Sequence, residues 1–269
     1  MVKFYSSAYS YDYSFSAVSL AYYLRYPNPY STHVLSTDTI DRHYDAELQR
    51  LTTTRLHLKR SRLPSAVFNL LPRSLVGGDK NGESTSYILE TSTVDMNEGW
   101  MKTESRNLEW TGVLSVIENQ EYRRPTETSG HVTTPGDQFA QLATERTDVS
   151  TTVTFKSNIG ETMRRRRARL AEASAEQDAA SKPGFFRYWT TGSIQRSVEL
   201  IGLRRAEGSQ PKAKQGMQVV LERLRTGGLV GVLEGMRHDE DLMYSGRGET
   251  RAAPIDTKET STVNIDYKE

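Results

Sequence analysis

Two prolines set two residues apart, Pro27 and Pro29, constrain this chain more than any other pair of residues. They follow an apolar stretch that ends on a cation, in the string Arg25-Tyr26-Pro27-Asn28-Pro29-Tyr30-Ser31, which runs on into His33-Val34-Leu35-Ser36 and Asp38-Thr39-Ile40. Proline fixes φ, lacks a backbone donor and pushes the preceding residue toward extended geometry. A helix arriving from residue 16 must therefore stop near Leu24 and hand over to an extended run. Arg25 sits at that junction among aromatic neighbours, placed to hold an anion inside an otherwise apolar cavity.

The flanking patterns are legible. Residues 2–13 alternate and are rich in Tyr, Phe and Ser, as a half-buried strand requires. Ser14 or Ser16 can cap the helix that follows, with Val18, Ala21 and Tyr22 on one face. Residues 33–44 and 50–60 read as two strands joined through Asp45-Ala46-Glu47. In the second, Thr54, Leu56 and Leu58 share one face and Arg55, His57 and Lys59 the other. Residues 64–76 are apolar, short and flanked by prolines, which predicts a small helix or a lid-like loop.

Strand patterning resumes at 85–94, 100–110 and 113–123. The turn Met96-Asn97-Glu98-Gly99 and the link Thr111-Gly112 imply an antiparallel meander. An irregular loop over 124–145 precedes a last strand at 146–157, and a polar insert spans 160–183. Residues 190–225 carry the longest helical pattern, with Gly208 and Pro211 inside it. A proline in a helix interior is unfavourable by about 3 kcal/mol, which predicts a kink or break there. The domain is thus expected to span 1–225, with 226–269 an acidic, unpacked tail. A meander with one dry face needs a cover, and two helices over a curved sheet leave a hollow.

Composition narrows the function classes. In 269 residues, 36% are hydrophobic, and 35 Lys and Arg balance 34 Asp and Glu, so no global charge pulls the chain toward nucleic acid. The distribution is uneven: Arg42 to Val76 holds seven basic residues against two acidic ones, and Thr226 to the end holds five against nine. The Arg164–Arg167 run reads as a solvated face rather than a nucleic-acid site. There is no cysteine, which removes thiol catalysis, disulfides and thiolate metal sites. No apolar run reaches the length of a membrane span, and the N-terminus lacks the pattern of a signal or transit peptide, so the residues alone give a cytosolic default.

No nucleophile elbow, phosphate loop or dinucleotide fingerprint occurs. The five histidines are scattered, and no pair has metal-ligand spacing. No catalytic residue, metal or cofactor is expected. What stands out is the run Arg55, Lys59, Arg60 and Arg62 directly before the apolar segment. It fits either a solvated strand end or a surface that docks on anionic membranes, where each cation contributes about 1 kcal/mol and Phe68, Leu70 and Leu71 can enter the lipid interface.

Three longer strings carry a family likeness: RYPNPYS-x-HVLS-x-DTI, TTTRLHLKRSRLP, and SRNLEWTGVLSV at Ser105–Val116. Together they resemble the PRELI family, in particular its fungal Ups branch. The likeness runs from residue 2 to about 124 and resumes from about 185 to 224. It implies an α+β fold: a seven-stranded antiparallel curved sheet wrapped by helices, with a long C-terminal helix and a lid loop over a lipid cavity. It also implies a phospholipid carrier of the mitochondrial intermembrane space, working with a small helical partner that bears twin cysteine motifs and docking on anionic membranes. The branch carries phosphatidic acid in support of cardiolipin synthesis.

Transferred residue by residue, the resemblance puts the deep pocket arginine at Arg25 and the basic positions before the lid at Lys59 and Arg62. Those of the long helix fall near Arg196, Arg204 and Arg205. The lid falls on residues 63–76, with Arg60, Leu63, Pro64, Val67, Phe68, Leu70 and Leu71 as its docking residues. A buried phosphate needs a charged partner, which is the role expected of Arg25. A phosphatidylserine carrier of the same family, or a regulatory scaffold that has lost the cavity, are the competing readings.

Overall fold

The computed structural model describes residues 2–62, 83–125, 146–161, 164–165 and 191–245. Seven strands form one antiparallel sheet: β1 (Val2–Tyr11), β2 (Val34–Asp45), β3 (Arg50–Arg62), β4 (Glu83–Asp95), β5 (Trp100–Asn107), β6 (Leu114–Arg123) and β7 (Thr147–Ser157). Their order across the sheet is β1-β7-β6-β5-β4-β3-β2. Strands 2 to 7 are therefore a meander, and the first strand closes against the last. The sheet and the long C-terminal helix agree with the expected α+β fold.

Helix α1 (Phe15–Tyr23) begins where the sequence said a helix should. Ser14 is its N-cap, with Oγ accepting from the Ala17 amide at 3.2 Å. Its buried face, Phe15, Val18, Ala21 and Tyr22, meets Val94, Met101, Tyr122 and Val149 at one end of the sheet. Helix α2 (Thr191–Ser245) crosses the same face. Near its start Ile194 and Val198 pack on Val113, its middle sets Ala206 on Val153 and Phe155, and Met217, Val220 and Leu221 join the α1 cluster.

Three expectations need correction. The dihedrals of α2 stay helical through Gly208 and Pro211, so the helix is not broken there; the non-helical residue is Gly228, at φ 59°. Pro211 lies on an exposed part of the helix, where the carbonyl that loses its donor can be hydrated. A positive φ is open to glycine without a Cβ penalty, so the reversal falls at Gly227-Gly228 instead.

The expected unpacked tail is the second correction, over residues 226–245; residues 246–269, like the expected loop at 126–145 and most of the insert at 160–183, lie outside the described residues. Residues 229–245 are helical and fold back on the first part of α2: Val232 is fully buried in the α1 cluster, and Arg223 donates to both carboxylate oxygens of Asp239, at 2.6 and 3.2 Å. The acidic run at 239–241 thus supplies an internal partner for a cation.

Third, Arg55 is no surface cation. The two faces of β3 alternate as read, but the buried one carries Thr53, Arg55 and His57, while Leu56 and Leu58 face outward, half-buried. Arg55 and His57 occupy the inner face because each finds a charged or hydrogen-bonding neighbour on an adjoining element, Glu90 for Arg55 and Thr37 for His57, whereas the buried Thr53 hydroxyl has no hydrogen-bond partner among the described residues.

Candidate functional site

A cavity of about 900 Å³ lies between the inner face of the sheet and α2. Its apolar wall comes from Ile88, Leu114 and Val116 on the strands and from Val198, Ile201 and Met217 on the helix. Arg25 and Tyr26 form part of its floor, at the junction predicted from the two prolines. Seven Lys and Arg line it against three Glu, an excess of positive charge that the whole chain lacks.

The floor is built around one carboxylate. Glu90, in the middle of β4, is 1% exposed. Arg25 donates to its Oε2, and Arg55, its register partner on β3, donates to Oε1 through Nε at 3.0 Å and Nη2 at 2.5 Å. Both guanidiniums also reach back to the last turn of α1, Arg25 to the Tyr22 carbonyl at 2.7 Å and Arg55 to the Tyr23 carbonyl at 3.1 Å. They thus satisfy carbonyls that a helix C-terminus leaves open and place positive charge where the helix dipole favours it. The Arg25 guanidinium lies 3.7 Å from the Tyr22 ring centre and 4.6 Å from that of Tyr26, cation–π contacts that fix its plane.

Electrostatics follows from burial and pairing. Burial works against charge on Arg25, but the Glu90 carboxylate outweighs it and holds the guanidinium well above its ordinary pKa. Burial likewise pushes Glu90 up, and Arg25, His57 and Arg55 overcome this to hold it well below the carboxylate range. His57 is pressed down to about 4 by burial against the pull of Glu90. Its Nδ1 pairs with Thr37 Oγ1 at 2.9 Å, while Nε2 lies 3.3 Å from Glu90 Oε2 without the alignment of a hydrogen bond. With His57 neutral, two cations and one anion leave the floor with one net positive charge.

The junction loop is held by Asn28, which is 2% exposed. Its Nδ2 donates to the Arg25 carbonyl, and its Oδ1 accepts from the Tyr30 amide at 2.9 Å.

The other expected residues divide. Lys59, Arg60, Arg204 and Arg205 line the cavity. Lys59 Nζ is 5.8 Å from the Tyr26 ring centre. Arg196 is exposed on α2 and outside the cavity lining, because the face of the helix that meets the sheet at this level is set by Ile194 and Val198. The side chain of Arg62 and the lid positions Leu63, Pro64, Val67, Phe68, Leu70 and Leu71 lie outside the described residues. Among the lining residues that were not foreseen are Glu90, Lys212 and Asn28. Glu90 had a signal, being an acid on the same strand phase as Ser86, Ile88 and Ser92, opposite an arginine on the neighbouring strand.

One curved sheet and one long helix around a cation-floored cavity define a class of cup-like α+β folds with a hollow between sheet and helix. Within that class the chain belongs to the PRELI-like family, whose model matches residues 16–177. It is 39% identical over 132 residues to Protein UPS1, mitochondrial, of Saccharomyces cerevisiae, covering 49% of this chain and 70% of that one. It is 40% identical over 114 residues to the Protein ups1 homolog of Schizosaccharomyces pombe, covering 42% and 60%. It is 31% identical over 170 residues to PRELI domain-containing protein 1, mitochondrial, of Homo sapiens, covering 61% and 73%.

Proposed function

We propose that this chain is a non-enzymatic phospholipid carrier that moves phosphatidic acid between the outer and inner mitochondrial membranes, in support of cardiolipin synthesis. The supporting observation is a cavity of about 900 Å³ with an apolar wall and a guanidinium floor bearing one net positive charge. That volume is at the upper end for small-ligand pockets, which speaks against a scaffold whose hollow has been lost. In this reading acyl chains lie along Leu114, Val116, Ile201 and Met217. The phosphate monoester, carrying about −1.5 to −2 charges near neutral pH, meets Arg25 with Lys59 and Lys212 nearby.

The proposal includes the setting that the family likeness implies: the intermembrane space, anionic membrane surfaces as the docking site, and a small helical partner with twin cysteine motifs. Names that include the word mitochondrial in two of the relatives above favour the organelle.

Transfer of fluorescent phosphatidic acid from quenched donor vesicles to acceptor vesicles is the test, run with the chain and such a partner together. We expect rates well above those for phosphatidylcholine; absence of transfer overturns the proposal. Phosphatidylserine vesicles in the same assay separate the family's other cargo.

A further inference from the structure

An acid is the wrong sign for the floor of an anion pocket, yet Glu90 is among the most deeply buried side chains of the described residues, and it lines this cavity. A purely structural account would make it the counter-ion of Arg55, its register partner, which does not itself line the cavity. The geometry goes further. Glu90 Oε1 serves Arg55, while Oε2 is turned to Arg25, with Ser105 Oγ at 3.4 Å from the same oxygen.

Arg25 is thus fixed on three sides, by Oε2 at one amino group, by the Tyr22 carbonyl at the other, and by two aromatic faces. An arginine so held presents its remaining donors to the cavity without first losing rotamer freedom, and preorganisation of this kind raises affinity by lowering the ordering cost of binding.

We propose that Glu90 is a positioning residue for headgroup recognition: through Oε2 it aims Arg25 at the ligand phosphate, and through Oε1 it cancels Arg55, so that one oriented guanidinium meets the ligand. This rests on the carrier reading above. It assigns to an acid on β4 a part in choosing which phosphate is bound, which charge complementarity alone would not predict.

The test uses the full chain and two soluble probes, dihexanoyl phosphatidic acid and dihexanoyl phosphatidylglycerol, read as shifts in melting temperature. The wild-type chain should be stabilised more by the monoester than by the diester. Glu90→Asp keeps the charge but withdraws the carboxylate by one methylene. The pair Arg55→Met with Glu90→Gln removes one charge of each sign and keeps the net charge of the floor. A buried ion pair can be replaced by matched neutral groups with little loss of fold.

In either variant we expect the ligand-free melting temperature to stay within a few degrees of wild type, while the preference for the monoester falls about tenfold in apparent affinity. A purely structural role would lower the ligand-free melting temperature and leave that preference intact. Full monoester preference in whichever variant is folded overturns the proposal. No shift of the wild-type chain with either probe, together with no vesicle transfer, overturns the carrier reading instead.

Discussion

Gly216 on α2 lies directly against the side chain of Asn28: a Cβ at position 216 would fall 2.6 Å from Oδ1 and 2.9 Å from Nδ2 of that residue. The helix and the loop after Arg25 therefore touch through a position where only a hydrogen fits. Because Asn28 also bonds the Arg25 carbonyl, this contact links the cavity wall to its floor. Gly216→Ala should destabilise the fold by about 1–3 kcal/mol, the usual range for overpacking, and should weaken lipid transfer. Denaturant melts alongside the vesicle assay check both.

Arg25 is best probed by lysine. A glutamate at 25 would face Glu90 across a hydrogen-bond distance, and the resulting repulsion would confuse a binding defect with a folding one. Arg25→Lys keeps the charge but cannot span the Tyr22 carbonyl and Glu90 with a flat fork. We expect transfer to fall about tenfold with at most a modest loss of stability, about 1–2 kcal/mol. Wild-type transfer by this variant would remove the guanidinium geometry from the mechanism.

Acid should loosen the fold in two stages. His57 has its pKa lowered to about 4 in the folded state, so the unfolded chain binds the proton that the native chain refuses. Its contribution is whole above the ordinary histidine value and is lost as pH falls from there toward 4, at a slope of up to about 1.4 kcal/mol per pH unit. Glu90, also held low, adds its loss at more acid pH. His57→Gln should reduce the first stage, in which His33, also lowered to about 4 by burial, takes part, and leave the second, as urea titrations from pH 7 to pH 2 would reveal.

Removing the chain after Thr226 takes away Val232 from the core and Asp239 from Arg223. A cavity and a half-buried unpaired cation together should lower stability by on the order of 3 kcal/mol. Thermal melts of the shortened chain measure this. An unchanged melting temperature would mean that the fold-back helix is ornamental.

Lys59 and Lys212 line the cavity from opposite elements, β3 and α2. Reversal of either to Glu should slow transfer from anionic vesicles several-fold at low salt, and less at physiological salt, where the Debye length is about 8 Å. The salt dependence of the initial rate is the readout.

Much of this was legible in the residues. Ser14, Pro27 and Pro29 bracket α1 because caps and prolines act locally, and the turn before Gly99 marks the β4–β5 hairpin because a positive φ needs glycine there. The end of α2 was misread for a physical reason: Pro211 is a stronger breaker than glycine in isolation, but tertiary packing on either side, from Ala206 to Met217, carries the helix past it. Arg55 and Glu90 look like solvated strand charges until the register sets them opposite each other on the inner face. A strand pattern gives the alternation; which phase turns inward depends on partners distant in sequence.

Strand order has a consequence for the nascent chain. Val2–Tyr11 pairs along its whole length with Thr147–Ser157 and, among the described residues, with no other strand. These ten residues are made well before Thr147–Ser157 and find their ladder only after the intervening strands have been synthesised. Until then they are an unpaired edge rich in tyrosine, open to proteases and to stray strands. Whatever escorts the newly made chain has that segment to shield.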